Sequence, residues 1–200
     1  MLGIGFYSRD DAARLIRIKP DKIDRWLGGY TYKQGKKNVE SPPLWEPDLP
    51  KANHHVELSF RDLMELRFVK AFIDTGLSVR TIRNCIHYAR ECVHSDRPFS
   101  TQKFRTDGKT IFLQSAKAKT DGEDDLLDLK SHQYNIKTAI ERSFKDLDVD
   151  AHSVLRWWPY EGKRSIVVDP KRSFGEPILA KYGIPTRTIF DAVRAEDNPQ

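Results

Sequence analysis

Apolar and polar positions alternate at helical spacing from the first complete unit of the chain onward. In residues 8–29, Ala12, Leu15 and Ile16 fall on one side of a predicted helix that breaks near Ile18. A second helix starts at Pro20 and stops at Gly28-Gly29, just after Trp26 and Leu27. Ser8 is placed to cap the first helix, and Asp11 to return the bond. Residues 59–75 repeat the device: Ser59 and Asp62 form an acidic capping box, Phe60, Leu63, Met64, Phe68, Phe72 and Ile73 make a wide apolar arc, and Gly76 ends the helix. Ser78 opens another, with Val79, Ile82, Cys85, Ile86, Ala89 and Val93 on one face. On its other face Arg80, Arg83, His87 and Arg90 form a stripe that either contacts phosphate or, more commonly, stays a solvated face.

Elsewhere the pattern changes period. Residues 30–50 hold Tyr30, Tyr32, Lys33, Lys36 and Lys37, then a Pro-rich run around Leu44 and Trp45. Glycines and prolines exclude a helix and predict an irregular β-hairpin with a long tip, with Trp45 as its packing anchor. Asp107-Gly108 predicts a further hairpin over residues 106–113, with Phe104, Ile111 and Phe112 packing inward. Residues 115–131 are acidic and read as a linker or mobile loop. Residues 134–147 suit a helix through Ile136, Ala139, Ile140 and Phe144, although a strand stays open, and Asp146 to Asp150 break it. A short strand over 165–168, tight turns at Asp169-Pro170 and Gly175-Glu176-Pro177, and a helix over 187–195 capped by Thr186 complete the reading.

Charge sharpens this picture. The net charge of +5 is unevenly placed: residues 1–110 hold 20 Lys and Arg against 14 Asp and Glu, residues 111–150 hold 6 against 9, and residues 151–200 hold 8 against 6. The surplus coincides with the first two helices and the hairpin, as a polyanion-binding surface requires. A helix-turn-helix would bring Lys19, Lys22 and Arg25, with Asp21 and Asp24 among them, to base edges and phosphates, and a wing would bring Lys33, Lys36 and Lys37 to the backbone. An ordinary helical hairpin followed by a lysine-rich loop is the alternative. With 38% hydrophobic residues the 200-residue chain has enough for a core in one or two domains, and no stretch is long enough for a bilayer. The N-terminus reaches acidic residues before any signal-like run, and Cys85 and Cys92 are the only cysteines, so a reduced, cytoplasmic protein is expected.

Catalytic chemistry is not apparent, since no nucleophile, acid or base is paired with a supporting group. Cys85, His87, Cys92 and His94 do not fit a zinc site: Cys92 and His94, two apart, cannot share a helix face, and no Cys-x-x-Cys exists. His54-His55 reads as a solvated pair, and Asp121, Glu123, Asp124, Asp125 and Asp128 lack the spacing of a calcium loop. Gly3 and Gly5 do not build a phosphate loop. Neither a metal nor another cofactor is expected.

Two resemblances attach to these motifs. The order of helix-turn-helix, hairpin, long helix and a further helix opening Leu77-Ser78-Val79-Arg80-Thr81-Ile82-Arg83 resembles the MerR-type winged helix, over about the first hundred residues. The C-terminal pattern, Trp157-Trp158-Pro159, then IVVDPKRSFGEPIL and GIPTRTIFDAV, resembles the small domain of formerly unknown function that recurs in VapB-type antitoxins. In that family a second helix completes a helix-turn-helix after the one matched by residues 186–195, and the residues here hold only the first. Together the resemblances imply a mainly α protein with short β-hairpins: a MerR-like winged helix-turn-helix over 1–114, an acidic linker over 115–132, and a small α+β, helix-turn-helix-like antitoxin-type domain over 133–200. They imply a non-enzymatic, dimeric antitoxin that binds operator DNA, represses its own operon and neutralises a PIN-like ribonuclease, with Lys171, Arg172 and Arg187 as candidate partner contacts. A MerR-like regulator sensing a ligand between the Ser59 and Ser78 helices and the C-terminal unit, and a scaffold that binds only protein, are the alternatives.

Overall fold

Because its apolar arc is so wide, the helix Phe60–Asp74 lies at the centre of the molecule. A computed structural model describes residues 4–51, 55–118, 133–150, 153–160 and 162–196. The elements in order are β1 (Tyr7–Ser8), α1 (Arg9–Ile16), α2 (Pro20–Gly28), β2 (Tyr30–Gln34), β3 (Lys37–Ser41), β4 (Glu57–Leu58), α3 (Phe60–Asp74), α4 (Val79–Val93), α5 (Gln102–Lys117), α6 (Gln133–Lys145), β5 (Leu147–Val149), β6 (Val154–Trp157), β7 (Ile166–Val168), β8 (Pro177–Leu179) and α7 (Thr186–Glu196). The molecule is thus mainly α with small antiparallel sheets: β1 pairs with β4, β2 with β3, and β5-β6-β7-β8 form one sheet. The predicted cluster over residues 121–128, His54 and the C-terminal residues 197–200 lie outside the described residues.

Nine of the fifteen α3 residues are buried, and both halves of its capping box form between Ser59 and Asp62. Phe68 and Phe72 of α3 join Phe99, Phe104, Phe112 and Phe144 in one aromatic cluster, with the Phe72 and Phe112 rings edge to face at 4.8 Å and those of Phe68 and Phe144 tilted at 4.9 Å. The predicted hairpin at 106–113 does not exist: these residues lie inside α5. Thr101 caps that helix by accepting the Phe104 N–H, and Phe104, Ile111, Phe112 and Ser115 continue the inward face. Gly108 serves packing rather than a turn, because a Cβ there would come within 2.8 Å of Ile140 on α6. Residues 133–145 settle as that helix, burying Ile136, Ala139, Ile140 and Phe144 against α3 and α5.

A buried charge cluster ties the Pro-rich segment to the core. The Arg97 guanidinium, 4% exposed, donates from Nε and Nη2 to Asp62 Oδ1 at 2.9 and 2.7 Å, and Nη2 also reaches Asp48 Oδ1 and the Glu46 carbonyl, each at 2.8 Å. Trp45, the expected anchor, is buried and donates its indole N–H to the same Asp62 oxygen at 2.9 Å. Beside it the fully buried Glu65 accepts from the Phe99 and Ser100 backbone N–H groups and the Ser100 hydroxyl. Burial pushes the Glu65 carboxyl up to about 7, against the opposing pull of these hydrogen bonds and of Arg97.

Two outcomes follow for stability. Arg97→Met leaves Asp62 without its countercharge and lowers the unfolding free energy by about 3–5 kcal/mol in urea melts, whereas Arg14→Met, which breaks an exposed pair with Asp11, changes it by less than about 1 kcal/mol. Equal effects would contradict the ranking. Because the folded state holds the Glu65 proton more tightly than a carboxyl of ordinary value 4.5, its stabilisation is complete below pH 4.5 and is lost as pH rises through about 7. The stability of the native chain relative to Glu65→Gln therefore falls by about 3 kcal/mol over that window, and a pH-independent difference would contradict it.

Candidate nucleic-acid interface

The two-helix unit at the N-terminus forms as its sequence dictates. Ser8 accepts the Asp11 N–H at 3.1 Å, while its hydroxyl donates to the Asp11 carboxylate at 2.6 Å, so the return contact goes to the side chain of the cap. Arg17 ends α1 in the left-handed region at φ 58°, and Pro20 starts α2. Ile23, Trp26 and Leu27 face the core, and Arg9 braces the pair through Asp24 at 2.8 Å. The outer side of α2 and the residue before it carry Lys19, Lys22 and Arg25, all exposed. Arg25 lies over the Tyr30 ring at 4.1 Å, which links this side of α2 to the first hairpin strand.

The hairpin differs from its expected form. β2 and β3 pair in unbroken register from Tyr30 opposite Ser41 to Gln34 opposite Lys37, so the connection is the two residues Gly35 and Lys36 and not a long irregular tip. Lys33, Lys36 and Lys37 are all exposed on it. Gly29 makes the sharp passage from α2, with φ 74° and ψ 170°, a conformation open essentially to glycine alone, and a Cβ there would stand 2.9 Å from the Ser41 carbonyl oxygen. The base of the hairpin is held from both sides: the Leu44 N–H donates to the Trp26 carbonyl at 2.7 Å, and Arg83 donates to the Ser41 hydroxyl and the Pro42 carbonyl at 2.9 and 2.7 Å. Two members of the predicted basic stripe on α4 are thereby internal props, since Arg90 donates to the Asp96 carbonyl at 3.1 Å. Burial lowers the Arg83 and Arg90 guanidinium pKa values below their ordinary range.

The other predicted cations are remote from this surface in the chain. Lys171 and Arg172 are exposed in the turn before β8, with one Arg172 N–H 3.4 Å from the Ala180 carbonyl, and Arg187 is exposed in the first turn of α7. A cleft of about 920 Å³ opens between α1, α3, α6 and the start of the C-terminal sheet, lined among others by Arg67, Lys70, Tyr134, Arg142, Trp157 and Tyr160. It lies between the Ser59 helix and the C-terminal unit but is not lined by the Ser78 helix, whereas the alternative placed a ligand pocket among all three. Arg67 is partly buried there over the Trp157 ring, 3.9 Å from Asp146, and desolvation lowers it to about 10. Among the described residues there is no grouping of His, Cys, Asp and Glu able to hold a metal, and no helix is long and apolar enough to cross a membrane.

Gly29 and Gly28 provide a paired test of how α2 is coupled to the hairpin. Gly29→Ala strains the backbone and meets Ser41, and lowers stability by about 1–3 kcal/mol. Gly28→Ala has open space and gains up to about 1 kcal/mol from helix propensity. Thermal melts that rank the two the other way would contradict the geometry.

No protein-family model matches the chain. In sequence it is 22% identical over 202 residues to a curated protein of Mycobacterium tuberculosis (strain ATCC 25618 / H37Rv) provisionally named antitoxin VapB45, with 96% of this chain and 84% of that protein covered. In structure it matches the X-ray crystal structure of Rv2018 from Mycobacterium tuberculosis with a TM-score of 0.73 and 20% identity, over 97% of this chain and 88% of that one. The chain thus shares the Rv2018 fold and is a distant, nearly end-to-end relative in sequence of a protein carrying an antitoxin name.

Proposed function

We propose that this chain is a DNA-binding antitoxin of a type II toxin-antitoxin system, which represses its own operon and neutralises a PIN-like ribonuclease toxin. The observation that carries the reading is the similarity to a protein named as a VapB45 antitoxin over 96% of the chain. A regulatory protein without catalytic activity, working in the cytoplasm, follows from the same reading.

The DNA-binding half is supported by the arrangement of exposed cations. Lys19 just before α2, with Lys22 and Arg25 on it, enter the major groove, and Lys33, Lys36 and Lys37 on the short hairpin contact the phosphates beside it, in the manner of a winged helix-turn-helix. One nine-residue helix reads few bases, so a homodimer on a palindromic operator doubles the contacts. The reading unit expected over residues 1–114 extends to the end of α5 at Lys117, and the unit from 133 onward, with Lys171, Arg172 and Arg187, covers the toxin's acidic metal site.

Gel shifts on the chain's own promoter test this assignment. Binding weakens steeply with salt, and Lys22→Ala with Arg25→Ala lowers both the affinity and the slope of log affinity against log salt, the latter by about 2 if each cation meets one phosphate. Undiminished promoter binding by the double variant would remove α2 from the interface.

A further inference from the structure

We propose that Arg25, held in place by stacking on Tyr30, reads a guanine in the major groove of the operator, while the lysines around it meet phosphates. The inference rests on the DNA-binding reading and names the base contact that reading requires.

The Tyr30 ring is held from several sides. Gly29, at φ 74°, turns the chain from the end of α2 directly into β2, whose first residue is Tyr30. Across the hairpin Tyr30 pairs with Ser41, and Arg83 from α4 donates to the Ser41 hydroxyl at 2.9 Å. Tyr32, on the same face of β2, places its ring 5.9 Å from that of Tyr30 at a tilt of 41°. Tyr30 is thus a half-buried, fixed platform, and the exposed Arg25 guanidinium lies over it at 4.1 Å from the ring centroid.

Stacking engages only the flat face of a guanidinium. Its N–H donors lie in the plane and point out from the edge, and among the described residues those of Arg25 make no hydrogen bond or ion pair. Asp21, four residues earlier on the helix, is the natural local partner, yet Arg25 turns to the ring instead. Asp24 is held by Arg9 at 2.8 Å. Arg25 therefore presents a donor fork of set plane with its bonds unspent.

The neighbouring charges decide which acceptor such a fork meets. Lys19, Lys22, Lys33, Lys36 and Lys37 are compact charges on flexible stems, which suit phosphates at varied angles, and Arg25 is the one planar donor among these cations of the interface. Asp21 is exposed on the same side of α2 and, among the described residues, unpaired. Its carboxylate repels a phosphate brought to that side. A base pair carries no such penalty: guanine offers O6 and N7 to the arginine fork, and the amino group of a cytosine can donate to the carboxylate. A guanidinium fixed before contact also loses little freedom when it binds.

The test uses the full chain and duplexes from its own promoter, with affinity read by gel shift. Each G·C pair of the protected region is replaced singly by A·T, and each guanine singly by 7-deazaguanine, which lacks the N7 acceptor. The unaltered chain loses about 10-fold or more in affinity at a particular guanine when its pair is replaced, and 7-deazaguanine at that position also weakens binding. Arg25→Ala removes the discrimination at that guanine and leaves the losses at other positions. Tyr30→Leu narrows the same discrimination and Tyr30→Phe, which keeps the ring, restores it, whereas a ring that served only to hold the hairpin would shift the affinity for every duplex by one common factor. Native discrimination at every guanine in Arg25→Ala, with uniformly weaker binding, would put the guanidinium on a phosphate and overturn the inference while the DNA-binding reading stands. Native discrimination in Tyr30→Leu would overturn the positioning role of the ring. Failure of the unaltered chain to bind its promoter would overturn the DNA-binding reading and the inference together.

Discussion

A single desolvated guanidinium, Arg97, fixes how the surface of this molecule relates to its core. It sits against Asp62 at the first turn of the central helix and against Asp48 and the Glu46 carbonyl of the Pro-rich segment. Two charges taken out of water are stable only when their hydrogen bonds are complete. Here Asp62 meets that condition: Ser59 and Asp48 N–H groups, the Trp45 indole and Arg97 all donate to it. Segment 42–48 therefore cannot drift, and it continues directly from the second hairpin strand. The hairpin base is then held by Trp26 on one side and Arg83 on the other, which fixes the hairpin that carries the exposed lysines against α2 and α4.

How much of this was legible depends on the sequence separation of the partners. The helices α1, α2, α3 and α4 were readable because a start signal (a capping serine, or Pro20 for α2) and the apolar period lie within one segment, and Ser59 with Asp62 forms the box its spacing predicts. α5 was misread since Asp107-Gly108 is a strong local turn signal, while the reason for the glycine is Ile140, 32 positions away on another helix. The Arg97 cluster gave no local sign at all, since its carboxylates lie 35 and 49 residues before it. The stripe on α4 was readable as basic, but whether Arg83 faces water or a hairpin depends on a partner 42 residues upstream.

The same contrast divides the candidate sites. Lys19, Lys22, Arg25, Lys33, Lys36 and Lys37 were nameable because charge and helix phase are sequence properties, and they are indeed exposed. The turn around Phe174 was readable as a tight turn from its proline and glycine neighbours. Its left-handed backbone at Ser173 and Phe174 was not, because the Phe6 N–H and the Tyr7 hydroxyl hold the turn from the opposite end of the chain. The N-terminal strand thus serves two units at once: it precedes the first helix of the basic surface, and its residues and neighbour clamp the C-terminal turn.

Such a link suits the proposed function, in which the two ends of the chain address different partners, DNA on one and a toxin on the other. The most direct measurement of that account is the ribonuclease activity of the protein encoded beside this chain, titrated with the purified chain. The account predicts that cleavage is abolished as the two approach a fixed stoichiometric ratio. Cleavage that continues undiminished at a large excess of the chain would contradict it.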